Sequence, residues 1–122
     1  MGSNTRYFEL ARLASNQSNQ RYPVGAVIVV RQPVTVGWNQ DKTHPKYADG
    51  KRAYSIHAEI SALLHARCNV SGGVIYVYRA DHQGNRALAK PCPTCLTEII
   101  EAGIRRIFYT VPYPPGYEVI EL

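Results

Sequence analysis

The chain has little that would mark it as a secreted, membrane-bound or disulfide-stabilised protein. It contains three cysteines, an odd number that favours a metal site or a reactive thiol over a disulfide framework. No apolar run approaches the ~20 residues that a membrane-spanning helix needs, so we predict no membrane partner. The N-terminus lacks a basic patch followed by an apolar core, so we predict no secretory signal and a cytoplasmic location.

The composition is that of an ordinary folded domain with a modest basic excess. Hydrophobic residues make up 45% of the 122 residues and charged residues 19%, which excludes wholesale disorder. This length supports one hydrophobic core, so residues 1–122 are predicted to form one domain. The 14 basic and 9 acidic residues give a net charge of +5, which suits an anionic partner such as a phosphate or a short nucleic acid.

The order of predicted elements indicates an α/β protein. Helical periodicity covers residues 5–14, 56–67 and 93–102, with Gly103 as the predicted C-terminal cap of the third helix. Apolar, β-branched runs predict strands at 24–30, 35–38, 74–78 and 105–110, with a possible last strand at 118–122. Residues 39–54 form the longest irregular segment, and long loops in compact domains are often functional. Strands that alternate with helices predict a three-layer architecture, with helices on both faces of the sheet.

A C-x-x-C motif, Cys92 and Cys95, stands at the start of the third predicted helix. Residues three apart lie on one helical face, so both sulfur atoms point in one direction. The helix N-terminus favours the thiolate form through its dipole and free N–H groups. Pro93 suits the first helical turn, where its missing N–H would have no partner in any case.

His57 stands near the start of the second predicted helix, two positions before Glu59. If the second and third helices pack on one face of the sheet, their N-termini can converge. One histidine and two cysteines then make a zinc site with one position open for water.

Other interpretations of the C-x-x-C motif remain open at this point: a structural zinc site, a redox pair or simple packing. A structural zinc needs a fourth ligand. Cys68 and His65 lie too far along the helix, since eleven residues from His57 to Cys68 span roughly 16 Å. His44 and His82 are not excluded. A redox pair would leave His57 and Glu59 without a role.

The two motifs together resemble the zinc-dependent cytidine and deoxycytidylate deaminase superfamily, whose signature is H-x-E … P-C-x-x-C. The matching residues are His57-Ala-Glu59 and Pro91-Cys-Pro-Thr-Cys95. Further blocks at 23–27, 37–39, 57–63 and 102–109 look like the corresponding blocks of deoxycytidylate deaminases and bacterial tRNA adenosine deaminases. The resemblance spans residues 23–110 in the right order, and it implies a cytidine-deaminase-like fold: a mixed sheet of about five strands flanked by helices.

The resemblance also implies a site. His57, Cys92 and Cys95 would bind Zn²⁺, which would activate a water molecule for attack on the base. Glu59 would not be a ligand but would carry the proton from this water to the ring nitrogen and help ammonia leave. Asn39 falls where the family hydrogen-bonds the sugar or the base.

Three further residues are candidate substrate contacts. Ala26 falls where backbone groups of the family contact the base. Lys42 and Tyr54 lie in the basic, tyrosine-containing segment 39–54, which leads directly into His57. That segment predicts a phosphate contact and stacking, or equally a solvated loop.

The choice of substrate depends on finer features. The stretch 103–109 looks more like deoxycytidylate deaminases, so the leading hypothesis is deamination of cytosine in a free nucleoside or nucleotide such as dCMP. Cytosine in single-stranded DNA or RNA is the first alternative and adenosine in tRNA the next. A non-catalytic zinc domain that binds nucleic acid is the alternative from another class, and the presence of Glu59 argues against it.

The C-terminal segment differs from that of the relatives. The residues after 110 leave no room for the helix that usually connects the last two strands. A connection this short cannot make a parallel crossover, so a last strand paired with 105–110 must be antiparallel. The other possibility is that this segment runs over the surface or onto a neighbouring subunit. The resemblance also implies a homo-oligomer.

Overall fold

The computed structural model describes residues 3–31, 34–40, 56–66 and 69–122. Within these residues the predicted order of helices and strands is confirmed, including the last strand. The elements are α1 Ser3–Ser15, β1 Val24–Val29, β2 Val34–Trp38, α2 Ala58–His65, β3 Val74–Arg79, α3 Pro93–Glu101, β4 Arg106–Thr110 and β5 Tyr117–Glu121.

The five strands form one mixed sheet in the order β2-β1-β3-β4-β5. β1 pairs antiparallel with both β2 and β3, and β4 pairs antiparallel with β5. The only parallel pair among these strands is β3 with β4, and α3 supplies the crossover that a parallel connection requires. The antiparallel pairing predicted for the last strand is therefore confirmed.

Alternate residues of the central strands face two different helical layers. Val27, Tyr76 and Phe108 pack with Phe8 and Ala11 of α1 on one face. The other face packs against α2 and α3. Its buried members include Ala26, Ile28, Ile75, Val77 and Ile107, and Ile99 of α3 packs with them. Because the strands are covered on both faces, their sequences are almost continuously apolar. The predicted three-layer arrangement is confirmed.

Two glycines allow the helices to lie directly on the sheet. A Cβ atom on Gly25 of β1 would stand 1.9 Å from the carbonyl oxygen of Ala11 in α1. A Cβ atom on Gly37 of β2 would stand 2.2 Å from the backbone nitrogen of Ala62 in α2. Both contacts are with backbone, which cannot move aside as a side chain can. A side chain at either position would therefore displace a helix.

The second helix begins two residues later than the periodicity predicts. Ile56 exchanges two backbone hydrogen bonds with Gln40, of 2.8 and 3.0 Å, so it is extended rather than helical. His57 is the N-cap residue of α2, also extended, with φ −70° and ψ 157°. The apolar side chain of Ile56 is buried in either case, which is why periodicity alone extended the helix. The helix also ends at His65 instead of 67.

The first and last elements contact each other. The Asn4 side chain of α1 accepts a hydrogen bond from the Tyr76 hydroxyl at 2.9 Å and donates one to the Tyr117 hydroxyl at 3.3 Å. Phe8 packs against the same Tyr117 ring at 5.6 Å. The start of α1 is therefore held by β5.

A carboxylate fastens the connection between β4 and β5. Glu118 accepts hydrogen bonds from the hydroxyls of Tyr109, at 2.8 Å, and Tyr113, at 2.7 Å. Burial, and then the bond to Glu118, raises the pKa of Tyr109 to about 12. The two tyrosine hydroxyls in turn lower the pKa of Glu118.

The raised pKa of Tyr109 predicts that the protein loses stability at alkaline pH. A folded-state pKa above the unfolded value of about 10 contributes stability below pH 10, and this contribution is lost as the pH rises towards about 12. We expect the free energy of unfolding of Tyr109→Phe, measured by urea denaturation, to change less over pH 10–12 than that of the wild type. Parallel pH curves for Tyr109→Phe and wild type would contradict the assignment.

Candidate metal centre

Two helix N-termini meet on the α2–α3 face of the sheet. His57 is the N-cap of α2 and Cys92 the N-cap of α3, and their backbone dihedrals are nearly the same. Neither side chain forms a capping hydrogen bond to its own helix. Both are therefore available to point towards each other, and Pro93 begins α3 as predicted. Cys95 lies in the first turn of α3 and is almost fully buried.

The three predicted ligands come together. The Nδ1 atom of His57 lies 3.2 Å from the Cys95 sulfur and 3.7 Å from the Cys92 sulfur. All three donor atoms lie within 4.8 Å of one another. Around a tetrahedral zinc ion, with bonds of about 2.0 Å to nitrogen and 2.3 Å to sulfur, neighbouring donors stand about 3.5–3.8 Å apart. The donor set and its spacing fit zinc, with three protein ligands and one further position.

Burial disfavours the thiolate form of Cys95 when no cation is bound. Desolvation raises the pKa of the Cys95 thiol, and nearby Glu59 and Cys92 raise it further. A divalent ion reverses this balance because thiolates bind it directly, and metal binding then displaces the proton.

Glu59 lies in the first turn of α2, two positions after His57. Its side chain is only 6% exposed, and burial raises the pKa of its carboxyl to about 7. A carboxyl group with such a pKa can both accept and donate a proton near neutral pH.

One cavity contains these groups. It has a volume of about 350 Å³, within the range of small-ligand sites, and His57, Glu59 and Cys92 line it. A second cavity of about 550 Å³ lies beside the β4–β5 connection and is lined by none of the predicted site residues that the structure describes.

Of the four residues predicted to contact substrate, only some lie at the cavity in the described part of the chain. Asn39 lines the cavity, but its amide is engaged with backbone: Oδ1 accepts from the Val24 N–H and Nδ2 donates to the Tyr22 carbonyl, both at 2.9 Å. Ala26 is fully buried in β1 and is not part of this lining. Lys42 and Tyr54 lie outside the described residues. The contacts of these four residues with substrate stay predictions.

The comparisons with known proteins agree with this arrangement. A family model described as the cytidine and deoxycytidylate deaminase zinc-binding region matches residues 1–111. The chain belongs to this family.

Relatives of this family member cover most of its length. An uncharacterized deaminase in the luxG 3′ region of Aliivibrio fischeri is 30% identical over 111 residues, covering 84% of this chain and 69% of that protein. The dCMP deaminase of cyanophage S-TIM5 is similar with a TM-score of 0.67 and 25% identity, over 91% of this chain and 86% of that one. The cytidine deaminase of Burkholderia pseudomallei gives a TM-score of 0.71 at 21% identity, over 99% and 93% of the two chains. The cytidine-deaminase-like fold is thus confirmed, and zinc is the cofactor of the family.

Some cavity residues of this family member escape sequence reasoning. Arg79, Lys90 and Tyr22 all line the site. Two of them carried a positional signal, since Arg79 directly follows the predicted strand 74–78 and Lys90 immediately precedes the Pro91-Cys92 motif.

Among the described helices none is long and apolar enough to cross a membrane.

The glycine contact beneath α2 gives a test of how the metal centre is positioned. Gly37→Ala should displace α2, which carries His57, and lower the zinc affinity at least tenfold. Gly25→Ala is the matched control, because it makes an equally severe backbone clash but under α1. Both variants should lose stability, by about 1–3 kcal/mol or more. Zinc per folded chain, measured by mass spectrometry of the metal, should fall only for Gly37→Ala. Equal zinc content in the two variants would contradict this role of Gly37.

Proposed function

We propose that this chain catalyses the hydrolytic deamination of cytosine in a free nucleoside or nucleotide such as dCMP. The observation that carries the proposal is the shared cavity: a proton-carrying carboxyl, Glu59, and the metal donors His57 and Cys92 line one space of about 350 Å³. A space of this size suits one small ligand.

The site residues have two chemical roles: three of them would bind the metal ion, and Glu59 transfers protons. His57, Cys92 and Cys95 would hold the ion, and zinc would act as a Lewis acid that brings the pKa of water towards about 7. Glu59 accepts a proton from the attacking water and passes it to the N3 atom of the ring. The water oxygen bonds to C4, Glu59 passes the second proton of this water to the amino nitrogen, the C4–N bond breaks, and ammonia leaves with its two original hydrogens and that one proton. Glu59 is restored in each turnover.

The similar proteins support the same class of substrate. The cyanophage dCMP deaminase has also been solved in complex with dCMP and dUMP. That structure covers 94% of this chain at a TM-score of 0.65, so in that protein the same fold accommodates a pyrimidine mononucleotide.

Single-stranded DNA or RNA is the second candidate substrate, and the rim of the cavity favours it. Tyr22 is 47% exposed there. Guanidinium groups of Arg21 and Arg79 lie over its ring at 5.4 and 5.5 Å, and the His82 ring lies 5.6 Å away. An exposed aromatic ring among cations is typical of surfaces on which bases stack. Adenosine in tRNA and the homo-oligomer stay predictions.

Replacing the proton carrier tests the enzymatic role. Glu59→Gln keeps the shape of the side chain but cannot carry the proton, so we expect dCMP turnover to fall about 10²–10⁴-fold while zinc content is retained. Ammonia release and zinc per chain are the measurements. Glu101→Gln, at the exposed end of α3, is the control and should behave as wild type. Glu59→Gln activity within tenfold of wild type would refute the assigned role. A wild-type protein that is inactive on all cytosine and adenine substrates would instead favour the non-catalytic zinc domain.

A further inference from the structure

One wall of the cavity is basic. Arg79, the last residue of β3, and Lys90, two positions before Cys92, both line it. Glu59 is the only carboxylate among the described lining residues. The described lining therefore has more positive than negative charge at neutral pH. Arg79 and Lys90 have no part in the metal binding or the proton transfer described above.

The Arg79 side chain is only partly satisfied by the protein. Its Nη1 atom donates to the carbonyl oxygen of Leu88 at a long 3.3 Å. Its Nε atom is buried and has no hydrogen-bond partner among the described residues. Within the same residues no carboxylate lies within 4.0 Å of this guanidinium, since the two ion pairs involve other arginines. A buried donor without an acceptor is costly, which favours a ligand that supplies one.

The surrounding structure holds Arg79 in place. Its backbone pairs with Val24 of β1, and its N–H donates to the hydroxyl of fully buried Thr110 at 3.1 Å. The Tyr22 ring lies 5.5 Å from the guanidinium carbon. Since these neighbours fix both ends of the side chain, the guanidinium can bind a ligand with little loss of conformational freedom.

Lys90 has a second electrostatic partner. Hydrogen bonds from Tyr113 and Tyr109 lower the pKa of Glu118 most, and the charge of Lys90 lowers it further. The ammonium group is thus shared between the cavity and Glu118, and Arg79 is the stronger anion-binding group.

We infer that Arg79, assisted by Lys90, binds a phosphate group carried by the substrate, so that the enzyme prefers cytosine nucleotides to cytosine nucleosides. A guanidinium matches the oxygen geometry of a phosphate, whereas an uncharged nucleoside offers no anionic group. This inference rests on the proposed function and makes its substrate specific. The phosphate belongs either to a mononucleotide or to the backbone of a single strand, and the experiment below separates these sources.

Paired substrates give the test. We expect the wild type to have at least a tenfold higher kcat/KM for dCMP than for deoxycytidine. Arg79→Gln should lower kcat/KM for dCMP about 10–100-fold, mainly through KM, and change that for deoxycytidine less than threefold. Arg79→Lys, which keeps the charge, should recover part of the loss. The matched control is Arg105→Gln, because Arg105 also donates to a backbone carbonyl, that of Gly72, at the other end of the sheet.

Binding without turnover separates this inference from the proposed function. In Glu59→Gln protein, calorimetry should show dCMP binding at least tenfold more tightly than deoxycytidine, and adding Arg79→Gln should remove the difference. An equal loss for dCMP and deoxycytidine in the Arg79 variants would overturn the inference and leave Arg79 a structural role. If binding shows the Arg79-dependent preference but no substrate is deaminated, the proposed function fails and the phosphate site stands.

A single-stranded DNA oligomer with one cytosine and no terminal phosphate identifies the source of the phosphate. Each deamination adds about one dalton to the substrate, which mass spectrometry detects. Conversion of dCMP alone, with dependence on Arg79, assigns the phosphate to a mononucleotide. Arg79-dependent conversion of the oligomer, with an affinity that falls steeply with salt, assigns it to the strand backbone. Conversion of either substrate with no dependence on Arg79 would overturn the inference.

Discussion

The candidate site depends on the meeting of two helix N-termini. α2 and α3 begin with an extended N-cap residue each, and neither N-cap side chain caps its own helix. The side chains of His57 and Cys92 are therefore free to meet, with Cys95 one turn further on. This convergence requires α2 to lie against β2 with no intervening side chain, which Gly37 permits. The buried Ser61 hydroxyl adds a second tie, since it accepts hydrogen bonds from the Trp38 N–H and the Gln40 side chain.

The architecture and the metal donors were accessible from the sequence because they depend on local patterns. Apolar runs gave the buried strands, and the His57 and Cys92 motifs stood at predicted helix starts. The start of α2 was predicted two residues too early because the Gln40–Ile56 bridge joins residues sixteen apart, and periodicity carries no information on such pairing. The sequence analysis missed Arg79 and Tyr22 as cavity residues for the same reason, because they approach each other only after β1 and β3 pair.

Asn39 has a structural role in addition to its place in the site. It lines the cavity, and its contact with substrate stays a prediction. Its amide, however, holds the backbone at Tyr22 and Val24, the segment that leads into β1. Asn39 thereby also fixes Tyr22, against which the Arg79 guanidinium packs. One amide side chain thus connects the start of β1 with the basic wall of the site, and sequence spacing alone does not show this connection.

The contact between α1 and β5 constrains the order in which the chain can fold. Asn4 and Tyr117 are separated by 113 positions, yet they share a hydrogen bond beside the ring of Phe8. During synthesis, the N-terminal helix must wait for β5 before its first turn has its final neighbours. Contacts of such long sequence range slow folding, because much of the chain must be ordered before they form. In the interval, the apolar side of α1 can pack on β1 and β3, but Asn4 and Phe8 lack their contacts with Tyr117.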